Sequence, residues 1–421
     1  MFSASFFTPR SARRLCCAGS ETCNGGVMPT SGIWEGRAPA RAGRSLIAAV
    51  GLWLAVMVAA PPAHAEPGIF PDRVVIGQST ALTGRLSSMV TPCFVGAKAY
   101  FSEVNAQGGV YGRRIELQTR DDANSARQAQ DNTEAFIRSG AIFALFGYGG
   151  WVGSEAALTL ATKARIPFLF PCSGALPLYD DFNRYVFTIR ASYLQEYLRL
   201  FHLFERFGVK RVTAIYQKQS EGERVLAEVQ RHTRGSGIVV NKIGATVTSD
   251  FHTIARQMML QSPDGVLLVN GNSAINASIV RSLRAAGYLG RFFGASPIGQ
   301  KALADDLGQR SRGVVVTQVA PSPWHFSMPL VVEYRRLMAA AGLSELSFGS
   351  MEGFIAARVF VEALRRAGPH PTREKLIKAL EGINDGNYAL GGFAVNFSPT
   401  NHHGSSFVDA SLMAGDATFV N

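Results

Sequence analysis

Apolar runs typical of buried strands alternate with helical patterns from Val74 onward. The run Val74-Val-Ile-Gly predicts a buried strand, and residues 96–104 predict a helix because Ala97, Phe101 and Val104 recur on one helical face. The same order continues through further strands at residues 115–118, 142–146 and 166–170. Strands that alternate with helices predict parallel sheets with helices on both faces.

The alternation occurs twice, and 421 residues exceed the ~250–300 at which single hydrophobic cores stop growing. The predicted fold class is therefore α/β, with two doubly wound parallel-sheet lobes. We expect the first lobe to comprise residues 71–190 and 320–388, and the second to comprise residues 191–319 and 389–421. The last strands are predicted near residues 393–397 and 407–413.

The first 65 residues resemble a leader rather than part of the fold. A charged start at Arg41 and Arg44 precedes an apolar core of about 15 residues, and Ala63-His64-Ala65 then supplies a cleavage site. We expect a cleavable signal peptide cut after Ala65 and a protein exported to the periplasm. A retained membrane anchor is the alternative, and Met28 is the more ordinary start for such a leader.

The net charge of +11 does not indicate a nucleic-acid-binding protein. Residues 1–65 contribute +4 (six Arg minus two Glu), and the remaining charges are scattered without runs of Lys/Arg interleaved with aromatic residues. We expect no nucleic-acid partner and a monomer in solution.

Two cysteines, Cys93 and Cys172, remain after the leader. In an oxidising compartment they could pair, and two separate buried thiols are equally ordinary. The chain has no C-x-x-C motif, so a structural zinc site has no support.

Three loops rich in Ser, Thr and Gly follow strands of the first lobe, at residues 80–89, 147–154 and 171–175. Ligands of open α/β sheets bind at the carboxyl ends of the strands, and helix N-termini there suit a carboxylate. Tyr148 and Trp151 lie in these loops and could stack on a ligand ring. Ordinary βα turns are the alternative explanation.

Catalytic and cofactor motifs are absent from the sequence. The run Gly147-Tyr-Gly-Gly-Trp-Val-Gly fails G-x-G-x-x-G because Val152 stands at the last glycine position, and no P-loop, G-x-S-x-G or H-E-x-x-H motif occurs. His402-His403 could contribute to a metal site, but adjacent residues in a turn rarely bind one ion. We therefore expect no enzyme activity, no cofactor and no metal.

Several motifs resemble the leucine/isoleucine/valine-binding protein family, the type I periplasmic binding proteins of ABC importers. They are the strand Val74–Gly77 continued by Gln-Ser-Thr-Ala-Leu-Thr-Gly, the segment Asn105–Ile115 and the pair Asp121-Asp122 that follows it. The resemblance extends from about Arg73 to the C-terminus. It implies two lobes joined by three crossovers, ligand capture by hinge closure, and delivery to permease subunits in the inner membrane.

The resemblance also assigns ligand-binding positions one at a time. Ser87 and Met89 fall in the family's first cleft loop, where many amino-acid binders carry an aromatic residue at the position of Met89. Ser154, Ser173 and Gly174 match the positions that hold the ligand carboxylate. Glu221 replaces a frequent aromatic residue, and Ser296 replaces the acidic partner of the ligand ammonium group.

Because a buried ammonium without a carboxylate partner is costly, Ser296 favours a carboxylate pocket over an α-amino-acid pocket. Glu221 or Glu352 is the alternative counter-charge. We therefore expect an exported solute-binding protein whose small ligand carries a carboxylate, as an amino acid or an organic acid. A ligand sensor that signals to a regulator is the alternative function.

Overall fold

The computed structural model describes residues 66–84, 86–218, 221–415 and 419–420, so the predicted signal peptide lies outside the described residues. The first half of the chain forms a five-stranded parallel sheet in the order β2-β1-β3-β4-β5. Its strands are β1 (Arg73–Thr80), β2 (Arg114–Asp121), β3 (Ala144–Phe146), β4 (Phe168–Leu169) and β5 (Val186–Phe187). The helices between them are α1 (Ser87–Ala106), α2 (Ala126–Ser139) and α3 (Gly150–Ala164).

The chain then builds a second sheet in the order β12-β11-β10-β9-β8-β6-β7. Its parallel strands are β6 (Arg211–Gln217), β7 (Val239–Ala245), β8 (Gly265–Val269), β9 (Arg291–Gly294) and β10 (Val314–Gln318). The helices are α4 (Tyr193–Phe207), α5 (Glu221–His232), α6 (Phe251–Leu260), α7 (Ser273–Ala285) and α8 (Gln300–Leu307). The predicted fold of two α/β lobes with parallel sheets is confirmed.

After β10 the chain returns to the first lobe and then crosses to the second lobe once more. It forms α9 (Pro329–Ala340), α10 (Phe348–Ala367) and α11 (Arg373–Glu381), then the antiparallel strands β11 (Asp409–Met413) and β12 (Phe419–Val420). Together with the passage from β5 to β6, the described chain crosses between the lobes three times.

The segment before β11 packs on the first lobe, whereas the predicted boundary at residue 389 assigned it to the second lobe. Leu390, Phe393, Val395 and Phe397 are buried in the same core as β1 and α10, and they form no regular strand. The last crossover therefore lies between Phe397 and Asp409. The apolar alternation at residues 393–397 reflects burial against the first lobe, not membership of the second sheet.

Glycines allow α1 and α10 to pack at close range on the first sheet. A Cβ at Gly96 would lie 1.8 Å from the carbonyl oxygen of Ser350, and one at Gly353 would lie 1.9 Å from that of Cys93. No side chain fits at such distances, so both positions require glycine. This contact brings Glu352, the neighbour of Gly353, next to Cys93.

The start of the second lobe is fixed by helix capping. The Ser192 hydroxyl accepts from the Gln195 backbone N–H, and the Gln195 side chain accepts from the Ser192 backbone N–H, so a capping box begins α4. Gly208, at φ 67°, ends the helix in the left-handed region. None of the described helices is both long and apolar enough to cross a membrane.

Candidate ligand cleft between the lobes

A disulfide joins helix α1 to the loop after β4 at the carboxyl end of the first sheet. Cys93 on α1 is bonded to Cys172, which follows β4, and their Cα atoms are 6.6 Å apart. The carboxylate of Glu352 lies within 4.8 Å of both sulfur atoms. Because the sulfurs are bonded to each other, this cluster offers no thiolate for a metal ion. The bond instead fixes the helix and the loop beside Glu352.

The N-terminus of α3 lies against this loop and β1. The N–H of Gly149 donates to the Ser79 carbonyl (3.4 Å), and that of Gly150 donates to the Cys172 carbonyl (3.3 Å). A Cβ at Gly149 would lie 2.1 Å from Thr80 Oγ1, and Gly150 has φ +71°. The glycine run is therefore required for close packing on β1 and for a left-handed turn.

The first turn of α3 has no side-chain cap. The N–H groups of Trp151 and Val152 have no acceptor within the helix. Such a terminus carries a partial positive charge and suits an anion such as a carboxylate.

Three charged side chains are buried together where the lobes meet. Arg190, just after β5, donates to Glu196 on α4 at 2.7 Å and to Glu352 on α10 at 3.2 Å. Its side chain is 6% exposed, and the two carboxylates are 0% and 9% exposed. Two carboxylates and one guanidinium give the cluster a formal charge of −1.

Burial shifts the titration of this cluster. Burial alone would lower the pKa of Arg190, but the negative charges of Glu352 and Glu196 outweigh this effect. The pKa of Arg190 is therefore raised overall, and the guanidinium stays charged. Burial raises the pKa of Glu352 above its usual range, and Arg190 only partly offsets this effect. Glu352 therefore takes up a proton more readily than an exposed glutamate does.

Glu196 supplies an acidic group beside Ser296, the position where the sequence lacks one. Its carboxylate accepts from the Ser296 N–H (2.8 Å), the Ser296 hydroxyl (2.9 Å) and the Thr317 hydroxyl (2.7 Å). Arg190 also donates to Ser296 Oγ at 2.7 Å. The structure therefore places a carboxylate beside Ser296, although the sequence has no acidic residue at that position.

Sequence reasoning missed Arg190 and Glu196 as site residues. They are six positions apart, but a lobe crossover separates them, so no helical or strand spacing connects them. The only available signal was their place at the end of a strand and at the start of a capped helix.

Tyr148, expected to contact the ligand, lies in the core of the first lobe. Its side chain is fully buried, its ring packs edge-on against Phe168, and its hydroxyl bonds to Thr133 at 3.0 Å. Burial raises the pKa of this phenol. The residue points under the sheet end instead of into the cleft, because side chains alternate between the two faces of a strand and its extension.

The predicted carboxylate-binding residues are close together, but their hydroxyls already have partners. Ser154 donates to the Gly150 carbonyl at 2.6 Å within α3, and Ser173 Oγ accepts from the Ala175 N–H at 3.3 Å. Both serines are fully buried. A Cβ at Gly174 would lie 2.7 Å from Tyr193 of the second lobe, so Gly174 is needed for contact between the lobes.

The remaining predicted residues of the first lobe lie at the beginnings of helices. Ser87 begins α1, and its hydroxyl donates to the Gly84 carbonyl at 2.8 Å. Met89 lies in the first turn of the same helix and is half-buried. Trp151 is half-buried in the first turn of α3. The side chains of Met89 and Trp151 are both only partly exposed.

Glu221 contributes to contact between the lobes. Its carboxylate accepts from the Leu176 N–H of the first lobe at 2.6 Å and pairs with Arg224 at 2.6 Å. Arg224 also pairs with Glu155 of α3 at 2.8 Å. The lobes therefore touch away from the crossovers, with Glu221 Oε1 at the Leu176 N–H and Oε2 beside the Arg224 guanidinium.

The two adjacent histidines have separate surroundings. His402 is buried, stacks on Phe187 and lies 3.3 Å from Glu381, whereas the Nδ1 of His403 lies 3.0 Å from the Thr188 hydroxyl. Burial lowers the pKa of both imidazoles. Their contacts attach the last crossover to the first lobe.

Comparison with known proteins agrees with this architecture. The profile of the periplasmic binding protein family matches residues 73–409. The Leu/Ile/Val/Thr-binding protein of Salmonella typhimurium is 24% identical over 254 residues, which are 59% of this chain and 68% of that protein. The Leu/Ile/Val-binding protein of Escherichia coli is 24% identical over 243 residues, 56% of this chain and 65% of that protein.

Solved structures share the fold over most of the chain. An extracellular ligand-binding receptor from Verminephrobacter eiseniae superposes with a TM-score of 0.75 at 24% identity, covering 83% of this chain and all of that one. A branched-chain amino acid ABC transporter protein from Thermus thermophilus with bound valine gives 0.74 at 21% identity, covering 84% and 96%. Such identities establish a common fold.

Two parallel-sheet lobes joined by three crossovers, with helix N-termini and buried charges at their junction, define a two-lobed solute-binding protein. This chain belongs to the periplasmic binding protein family. The relatives named above are binding proteins of the leucine/isoleucine/valine group.

Proposed function

We propose that this protein is exported, captures a small carboxylate-bearing ligand between its lobes and delivers it to the permease of an ABC importer. The observation that carries the proposal is the uncapped N-terminus of α3 beside the Arg190–Glu196–Glu352 cluster. Cys172 connects the two, since its carbonyl accepts from Gly150 and its sulfur lies within 4.8 Å of the Glu352 carboxylate. No catalytic step is part of the function.

The ligand carboxylate binds to the backbone N–H groups of Trp151 and Val152. The hydroxyl of Ser154, the original candidate, donates within its own helix, so the backbone is the available donor. Hydrogen bonds to a charged group contribute about 1.5–3 kcal/mol each. Ser173 and Gly174 support carboxylate binding because they hold the adjacent loop against Tyr193.

The ligand also carries a cationic amino group. A cluster with a formal charge of −1 repels a simple carboxylate and attracts an ammonium group. Glu352 is the partner of that group, because Glu196 already accepts three hydrogen bonds besides its contact with Arg190. A relative with bound valine supports an amino acid as the ligand class.

Matched ligand pairs test the proposal in a thermal-shift screen. Purified protein is heated with leucine or with 4-methylpentanoate, which lacks only the amino group, and with further pairs of the same design. A ligand at about 100 times its Kd stabilises the protein by about 2.7 kcal/mol. We expect shifts with amino acids that their deaminated partners do not produce. If only the deaminated acids raise the melting temperature, the proposal that the ligand carries an amino group is rejected. If no carboxylate raises the melting temperature, the proposed ligand class is rejected.

A further inference from the structure

The second lobe carries a basic depression outside the cleft. Its volume is about 700 Å³, and it lies between α6, α7 and the turn after α8. Arg281, Arg284 and Arg310 line it together with His252. None of the cleft residues described above lines it.

Among the described residues, a single lining carboxylate only partly offsets the positive charge of this depression. The lining includes one carboxylate, Asp250, which caps α6 by accepting from the His252 and Thr253 N–H groups and the Thr253 hydroxyl. Within the described ranges, no ion pair joins any of the three arginines to a carboxylate. Three guanidinium groups and one capping carboxylate leave a formal charge of +2 without His252.

Two of the arginines are held in place by backbone carbonyls. Arg284 donates to the carbonyls of Tyr288 (2.7 Å) and Gly290 (2.9 Å), and its guanidinium lies 4.8 Å from the centre of the Phe292 ring. Arg281 donates to the Asp306 carbonyl at 3.0 Å. Burial lowers the pKa of Arg284, as expected for a half-buried cation without an anionic partner.

A buried hydroxyl also reaches the depression. Ser282 lines the depression and is 7% exposed. An anion in the depression would accept from this group and from the arginines together.

We propose that this depression binds an oxyanion of the phosphate class, either a free phosphate group or the headgroup of an anionic phospholipid. Guanidinium groups match the geometry of phosphate oxygens and bind them in a bidentate manner. The site is separate from the ligand cleft, so both sites can be occupied at once.

Calorimetric titration with inorganic phosphate at constant ionic strength tests this site. We expect saturable binding, weakened about tenfold in Arg310→Ala and more in Arg281→Ala/Arg310→Ala, since loss of one hydrogen bond to a charged group removes about that much affinity. Arg234→Ala is the matched control, because Arg234 is an exposed arginine of the same lobe outside the depression. Absence of saturation, or an equal loss in Arg234→Ala, would overturn the proposal.

Vesicles separate the two sources of phosphate. The protein is sedimented with vesicles of phosphatidylglycerol or of phosphatidylcholine, with and without inorganic phosphate. The lipid headgroup is the ligand if the protein binds phosphatidylglycerol vesicles but not phosphatidylcholine vesicles, if phosphate displaces it, and if Arg310→Ala weakens the binding. Saturable phosphate binding without vesicle binding assigns a free phosphate group. Vesicle binding that persists in Arg310→Ala contradicts the site as the lipid contact.

Discussion

Arg190 and Glu352 form a buried ion pair of 3.2 Å between the end of the first sheet and α10, and the same guanidinium reaches Glu196 of the second lobe. One arginine thereby connects two carboxylates from different lobes at the point where the chain first crosses. The three side chains together give the junction a formal charge of −1, and Glu352 lies beside the Cys93–Cys172 disulfide.

Replacement of Arg190 by methionine should destabilise the protein strongly. Loss of one partner of a buried ion pair typically costs about 3–5 kcal/mol, because the remaining carboxylates stay buried without a counter-charge. Urea unfolding of Arg190→Met measures this cost. Arg127→Ala is the control, since Arg127 pairs with Asp131 where both side chains are exposed (84% and 61%), and we expect at most about 1 kcal/mol there. Equal effects of the two variants would contradict the buried-cluster account.

The disulfide should contribute substantially to stability. Cys93 and Cys172 are 79 residues apart, and closure of a loop of that length restricts the unfolded chain by about 4 kcal/mol. We expect Cys93→Ser/Cys172→Ser to lower the free energy of unfolding by about this amount, and a reducing agent to have the same effect on the wild type but none on the variant. If a reducing agent leaves the melting temperature of the wild-type protein unchanged, the prediction that the bond stabilises the fold is contradicted.

Gly149→Ala should damage the start of α3. The new methyl group would overlap Thr80 Oγ1, which lies 2.1 Å from its position, and overpacking of this kind costs about 1–3 kcal/mol. Because the helix N-terminus is the proposed carboxylate site, we also expect weaker ligand binding. Gly382→Ala is the comparison: its nearest atom lies at 3.6 Å, so calorimetry should find nearly native stability and affinity. Native behaviour of Gly149→Ala would contradict the close packing.

The alternation of strands and helices was enough to predict both sheets, because burial of parallel strands between helices leaves a regular apolar pattern. Residues 390–397 were misassigned for the same reason: their alternating apolar side chains are buried, but against the first lobe and without strand pairing. The local pattern of apolar residues indicates that a segment is buried, but it does not indicate which lobe the segment packs against.

The site was only partly predictable. The loops at the strand ends were located correctly as neighbours, since parallel topology forces their proximity. Side-chain direction was not accessible: Tyr148 lies beneath the sheet end, and the Ser154 hydroxyl turns back into its helix. Glu196 reaches Ser296 only through the arrangement of two lobes, which a linear sequence does not display.

The central claim is that Glu352 binds the ligand amino group, and the pH dependence of affinity tests it most directly. Burial raises the pKa of Glu352 in the free protein, and an ammonium partner would lower it, so affinity should rise with pH until Glu352 is fully ionised and then become constant. Calorimetric titration of the amino acid found in the screen is repeated from acidic to neutral pH with wild type, Glu352→Gln and the exposed-site control Glu345→Gln. We predict this rise in wild type and Glu345→Gln, and at least tenfold weaker, pH-independent binding in Glu352→Gln. Identical affinities in all three proteins, or an affinity that falls with rising pH, would contradict the account.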